Sequence, residues 1–133
     1  MTPSTSQRIC IIDDDDAVRD SLGVLLRSYG YDVGDFASAH DFLMEAYAVG
    51  ERFDCAIVDL QMPGISGLEL FHLLRKRRSS LPFVMITGRA DSTLKERARR
   101  GGVVAMLDKP IGANALIDAI SKANTASTPR GHT

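Results

Sequence analysis

Four consecutive aspartates, Asp13, Asp14, Asp15 and Asp16, follow directly on the apolar run Ile9-Cys10-Ile11-Ile12. A short, wholly apolar run reads as a buried strand. The chain therefore delivers several carboxylates to the end of a core element. Two carboxylates about 4 Å apart repel by roughly 4 kcal/mol at an effective dielectric near 20, so either a cation binds there or the carboxylates hold protons. Helix capping accounts for part of the run, because aspartate is a favoured N-cap and suits a first helical turn. That role fits Asp15 or Asp16 well and Asp13 and Asp14 poorly, which leaves metal binding or catalysis open for the latter pair.

Three further apolar runs also end on polar residues: Phe53 to Asp59, Phe83 to Thr87, and Val104 to Lys109. Together the endings supply Asp13, Asp14, Asp59, Thr87 and Lys109, which is carboxylate, hydroxyl and ammonium chemistry suited to one divalent-metal and phosphoryl site. Hard cations such as Mg2+ take oxygen ligands and keep waters, so two carboxylates, a main-chain carbonyl and waters suffice. Such an ion offsets the carboxylate repulsion and stabilises charge on a transferring phosphoryl group. Asp59 is the candidate nucleophile, since a carboxylate attacking phosphorus gives an aspartyl phosphate. Lys109 would bring positive charge to one phosphoryl oxygen and Thr87 a hydrogen bond to another. A salt bridge from Lys109 to the acidic cluster is compatible with that role, because it would exist in the unmodified state.

The elements that must position these residues alternate. Val18, Leu22, Leu25 and Tyr29 recur at helical spacing up to Gly30, which stops the helix. Tyr31 to Phe36 is a weak, partly alternating strand suited to a sheet edge. Ser38 caps a helix carrying Phe42, Leu43, Ala46 and Tyr47 and closed by Gly50. After Asp59 comes a loop dense in breakers, Leu60 to Gly67, then a helix with Leu68, Phe71 and Leu74 on one face. A short polar helix spans Asp91 to Arg100, with Leu94 and Ala98 inward, and Leu116, Ala119 and Ile120 mark the last helix. The expected organisation is a flexible segment 1–7, one domain over 8–122, and a disordered tail or linker over 123–133, small and polar from Asn124 onward. Five strands alternating with five helices form an α/β fold, a doubly wound parallel sheet covered on both faces. In such sheets ligands bind beyond the carboxyl ends of the strands, at the switch in strand order, where the polar endings fall.

At 133 residues the chain has room for one domain. Its 44% hydrophobic and 25% charged composition is that of a soluble globular protein. No apolar stretch approaches the roughly 20 residues of a membrane span. Met1 to Ser6 lacks the basic-then-apolar order of a signal peptide, so the expected location is cytoplasmic with no membrane partner. Cys10 and Cys55 lie inside strand-like runs and are most simply small buried hydrophobes, with a redox role only if neighbouring strands bring the thiols together. A net charge of -1 says little about partners. The basic runs Arg75-Lys76-Arg77-Arg78 and Arg97-Ala98-Arg99-Arg100 sit where helices should end, which favours cations there. They read as solvated helix termini rather than a nucleic-acid surface.

With these residues assembled, the chain resembles the response-regulator receiver domains (CheY-like) of two-component signalling, from about Arg8 to Lys122. The carrying motifs are Ile12-Asp13-Asp14, Asp59-Leu60-Gln61-Met62-Pro63-Gly64, Ile86-Thr87-Gly88 and Lys109-Pro110. The resemblance implies a flavodoxin-like strand order 2-1-3-4-5 and an Asp59 that accepts phosphate from a phosphohistidine on a sensor histidine kinase. It implies Mg2+ ligated by Asp14, Asp59 and the backbone carbonyl of Gln61, with Asp13 acting through water. Thr87 and Lys109 would report the phosphate to a face made by the fourth helix, fifth strand and fifth helix, which would bind a downstream protein or a second copy. Tyr29 to Val33, Phe36 to Ala39 and Phe42-Leu43 look most like receivers that precede a helix-turn-helix output domain. The sequence departs from the family at the switch face. Met106 stands where an aromatic residue usually swings inward, and Ile111 where phenylalanine commonly follows the Lys-Pro pair.

Two other function classes fit the sequence less well. A haloacid-dehalogenase-type phosphatase would use Asp13 as nucleophile and Asp15 as general acid-base. It needs a further acidic metal motif after the lysine, where only Asp118 follows, and it leaves Asp59 unexplained. A phosphate- or nucleotide-binding module lacks a G-x-G-x-x-G or Walker-type loop. The expectation is therefore a signalling receiver, not an enzyme beyond catalysing its own phosphorylation and dephosphorylation. It is read as a stand-alone receiver or phosphate shuttle beginning at Met1, with the receiver piece of a longer regulator as the other possibility.

Overall fold

The computed structural model describes residues 7–88 and 92–127. Strands β1 (Arg8–Ile12), β2 (Asp32–Phe36), β3 (Cys55–Asp59), β4 (Phe83–Thr87) and β5 (Ala105–Asp108) alternate with helices α1 (Asp16–Ser28), α2 (Ala39–Phe42), α3 (Gly67–Lys76), α4 (Ser92–Gly101) and α5 (Ala113–Ser127). The strands form one sheet in the order β2-β1-β3-β4-β5, every adjacent pair parallel. This is the expected 2-1-3-4-5 order. β3 and β4 are buried throughout, as their continuous apolar runs require, while β2 at the edge shows the mixed burial of its broken pattern.

The period-2 alternation of side chains splits the strand residues between two cores. Cys10, Ile12, Ala56, Val58, Phe83 and Met85 face α2, α3 and α4, with Phe42, Phe71 and Leu74 among the covering residues. Ile9, Ile11, Cys55, Ile57, Val84 and Ile86 face α1 and α5, covered by Leu22, Leu26, Leu116, Ala119 and Ile120. The register pairs Ile9 with Cys55 and Cys10 with Ala56. The two thiols are therefore on adjacent strands but opposite faces of the sheet. Burial pushes the Cys55 thiol up to about 12 and raises Cys10 as well, so both behave as inert hydrophobes.

Three expectations are corrected. The helix after Ser38 is not uniform: α2 passes at Leu43 into a π-helical turn, Leu43–Tyr47. The wider turn keeps both Phe42 and Ala46 buried while bringing the Tyr47 ring to 6.4 Å from Phe42, a five-residue spacing that an α-helix does not align. The segment after Lys122 is not tail from its first residue, because α5 runs on to Ser127. Ala123 is fully buried and completes the stripe of Leu116, Ala119 and Ile120, so packing carries the helix through a segment whose composition alone reads as a tail. Gln7 belongs to the sheet edge, its carbonyl accepting from the Asp32 amide at 2.9 Å. The expected flexible residues 1–6, the tail residues 128–133 and the expected helix start at Asp91 lie outside the described residues. Among the described residues no helix is long and apolar enough to cross a membrane.

Arginines tie the far edge of the sheet together. Arg8 pairs with Asp32 and Glu51 and stacks over Phe53. The half-buried Arg75 lies over the Phe71 ring and donates to the carbonyls of Ser79 and Leu81, closing the connection from α3 to β4.

Candidate functional site

β1 delivers Asp13 one residue beyond its end, where the amide donates to the Phe36 carbonyl at 3.1 Å and the side chain is fully buried. Its Oδ1 accepts from the Asp15 amide at 2.9 Å. Asp14 is exposed. Asp15 caps α1, accepting from the amides of Ala17 and Val18, and Asp16 occupies the first turn, where a carboxylate suits the helix dipole. The aspartate run thus divides as expected, the last two serving the helix and the first two left for the pocket. The capping role of Asp15 removes it from the general acid-base position that a phosphatase would require.

Asp59 ends β3, the central strand, and is only 6% exposed. The Gln61 amide donates to its Oδ1 at 3.1 Å. The backbone turns so tightly here that a Cβ on Gly67 would stand 2.3 Å from the Asp59 carbonyl oxygen. Only glycine fits, and the Gly67 amide closes the loop by donating to the Leu60 carbonyl at 3.0 Å. The loop then enters α3 through a capping box, Ser66 Oγ accepting from the Glu69 amide and Glu69 Oε1 from the Ser66 amide. Thr87 is buried at the end of β4, and its carbonyl accepts from the Lys109 amide at 2.8 Å.

Lys109 reaches across from the end of β5 to both buried carboxylates, its Nζ 3.0 Å from Asp13 Oδ2 and 3.3 Å from Asp59 Oδ2. The contact to Asp59 is a hydrogen bond. The contact to Asp13 is the shorter of the two and pairs the ammonium with a fully buried carboxylate. Asp13, Asp14 and Asp59 offer carboxylate oxygens within 4.8 Å of one another. An all-oxygen cluster of this kind fits a hard divalent cation. Burial raises the Asp59 carboxyl above its ordinary value, helped by the like charge of Asp13, and the Gln61 amide and Lys109 oppose this only in part. For Lys109 burial acts to lower the ammonium, but Asp13 and Asp59 outweigh it and hold it above its usual value.

The structure therefore brings Asp13, Asp14, Asp59 and Lys109 together, with Thr87 on the neighbouring strand end and the Gln61 amide on Asp59. Met106 stands apart, half-buried on β5 opposite Met85 and packed on the α4 side of the sheet. Sequence reasoning missed Arg19, whose guanidinium reaches the turn carrying Asp13 and Asp14. Its one local signal is the three-residue spacing from Asp16. The Ser66-x-x-Glu69 box was also legible and unused.

The family described as the response regulator receiver domain matches residues 9–121. Among curated relatives, the transcriptional regulatory protein FixJ of Bradyrhizobium diazoefficiens is 37% identical over 126 residues, covering 95% of this chain and 60% of FixJ. Nodulation protein W of the same organism is 33% identical over 127 residues, covering 96% of this chain and 55% of its own length. The chain thus spans little more than half of these relatives. Among solved structures, the N-terminal FixJ fragment aligns with TM-score 0.81 at 32% identity, covering 92% of this chain and 96% of the fragment. A CheY-like receiver from Methanospirillum hungatei aligns with TM-score 0.85 at 29% identity, covering 96% and 100%. Nothing in these relationships favours a phosphatase of the haloacid-dehalogenase type, and receiver domains generally hold Mg2+ in an acidic pocket of this kind. With four strand ends converging on one carboxylate pocket in the 2-1-3-4-5 sheet, the chain belongs to the response-regulator receiver family, the phosphoryl-accepting modules of two-component signalling.

Proposed function

We propose that Asp59 is the phosphoryl acceptor. Its carboxylate oxygen forms a bond to phosphorus as the phosphorus–nitrogen bond of a kinase phosphohistidine breaks, leaving an aspartyl phosphate here and a free histidine on the donor. Asp13, Asp14, Asp59 and the Gln61 carbonyl would hold Mg2+, with Asp13 acting through water. The bound ion would neutralise charge on the transferring phosphoryl oxygens. Lys109 already stands against Asp59 Oδ2 and would follow the new phosphoryl oxygens, giving up its pairing with Asp13. The Thr87 hydroxyl would donate to another of those oxygens.

The observation that carries this reading is the position of Asp59: a buried carboxylate on the central strand, clasped by Lys109 and the Gln61 amide beside two further acids. Loss of the Lys109–Asp13 pairing supplies the switch, since it changes what holds the end of β5. Met106, half-buried on that strand, would repack without an aromatic rotamer change. The output face would be α4, β5 and α5, binding a downstream protein or a second copy. Any contact with DNA would belong to a separate domain, and the working compartment would be the cytoplasm.

Intact-mass measurement after incubation with acetyl phosphate and Mg2+ tests the assignment. One added phosphoryl group is expected, and Asp59→Asn should abolish it. Unchanged labelling of that variant would move the acceptor elsewhere.

A further inference from the structure

We infer that Arg19 is a positioning residue for the acidic pocket, holding the turn that presents Asp13 and Asp14 and thereby setting divalent-cation affinity. The inference rests on the reading that these aspartates hold Mg2+.

Arg19 lies on the first turn and a half of α1, yet its side chain is only 15% exposed. Its guanidinium is used in three directions. Nη1 donates to the Asp13 carbonyl at 2.7 Å, Nη2 bonds Asp16 Oδ1, and Nε lies 3.4 Å from Asp35 Oδ2 on β2. One planar group thus joins the end of β1, the start of α1 and the edge strand. The Asp13 carbonyl belongs to the peptide linking Asp13 to Asp14, so fixing it fixes the plane from which both side chains depart. The turn is also held by the Asp13 amide on Phe36, the Asp15 amide on Asp13 Oδ1, Lys109 against Asp13 Oδ2 and the Asp15 cap on α1. None of these bonds Asp14. A rigid fork suits this task and a lysine does not, because an ammonium on a flexible stem cannot hold three acceptors at fixed angles.

Charge and positioning predict opposite outcomes. A cation beside the pocket opposes a bound cation, so if charge alone mattered, neutralising Arg19 would tighten Mg2+ binding. If positioning dominates, both Arg19→Gln and Arg19→Lys weaken it, on the order of tenfold or more, as for other outer partners of metal ligands. Calorimetric titration of Mg2+ into the parent and both variants reads the affinity. Amide hydrogen exchange without metal supplies the second measurement. The Asp15 amide should exchange faster in both variants while the β3 and β4 amides keep their protection.

Tighter binding by Arg19→Gln, or parental affinity in Arg19→Lys, would overturn the inference. Loss of protection across β3 and β4 together with Asp15 would do the same, by assigning Arg19 to general stability. A parent that binds no Mg2+ would instead defeat the metal reading. The exchange measurement would then decide by itself whether Arg19 holds the turn.

Discussion

Asp59 sits where folding and chemistry make opposing demands. The proposed phosphoryl acceptance would require its carboxylate, yet burial and the nearby Asp13 raise its pKa above the ordinary carboxylate value. The folded state therefore binds the proton more tightly than the unfolded chain does. The contribution of this group to stability is present in full below the unfolded carboxylate pKa. It is lost as pH rises through the folded value, so at neutral pH the charged Asp59 opposes folding. Asp59→Asn should raise the metal-free melting temperature at pH 7 by roughly 3 °C, the scale of about 1 kcal/mol for a domain of this size. Melting curves between pH 7 and 3.5 should show the advantage shrinking as the parent carboxylate takes up its proton. An Asn variant less stable than the parent at pH 7 would mean that the Lys109 pairing outweighs burial. At this scale the sequence was informative, because polar residues ending apolar runs are visible one run at a time. Arg19 was not, since its partners Asp13 and Asp35 come together only through the pairing of β1 with β2.

The connection from β3 to α3 has little room to move. It turns from the Asp59 carboxylate to the α3 N-terminus within Leu60 to Ser66, and the contact of Gly67 with the Asp59 carbonyl leaves no room for a side chain. Because the obstructing atom is backbone, Gly67→Ala must shift either the strand end or the helix start. It should cost about 1–3 kcal/mol, the usual range for forcing atoms into a packed site, read as a lower urea midpoint with unchanged slope. Acetyl phosphate labelling should slow as Asp59 moves relative to Lys109. Parental stability in that variant would show that the loop yields easily. Breaker density marked this stretch as a loop, and the capping box was legible as a helix start. The close approach itself was not, because it depends on how α3 docks against the strand. The π-helical turn at Leu43–Tyr47 was hidden for a similar reason. Its residues show ordinary helical spacing, and packing of Phe42 against Tyr47 selects the wider turn.

For the whole molecule, an anion-rich pocket at one end of the sheet makes stability depend on cations. Mg2+ that binds only the folded state should stabilise the domain by about 2.7 kcal/mol at a hundredfold excess over Kd. Asp14→Asn should lose most of this gain. Melting in MgCl2 against NaCl of matched ionic strength separates binding from screening, and equal shifts in the two salts would contradict a specific site. By itself the sequence determined the alternation of strands and helices, the parallel two-faced sheet and the residues at its carboxyl edge. Those features rest on local hydrophobic period and on turn chemistry, which need no knowledge of distant partners. Tertiary structure decided the rest. Register put the Cys10 and Cys55 thiols on opposite faces, burial of Ala123 carried α5 on to Ser127, and the Arg19 fork bridged three elements. Each of these depends on which distant residues face one another once the strands pair and the helices dock, and no local pattern in the chain encodes that.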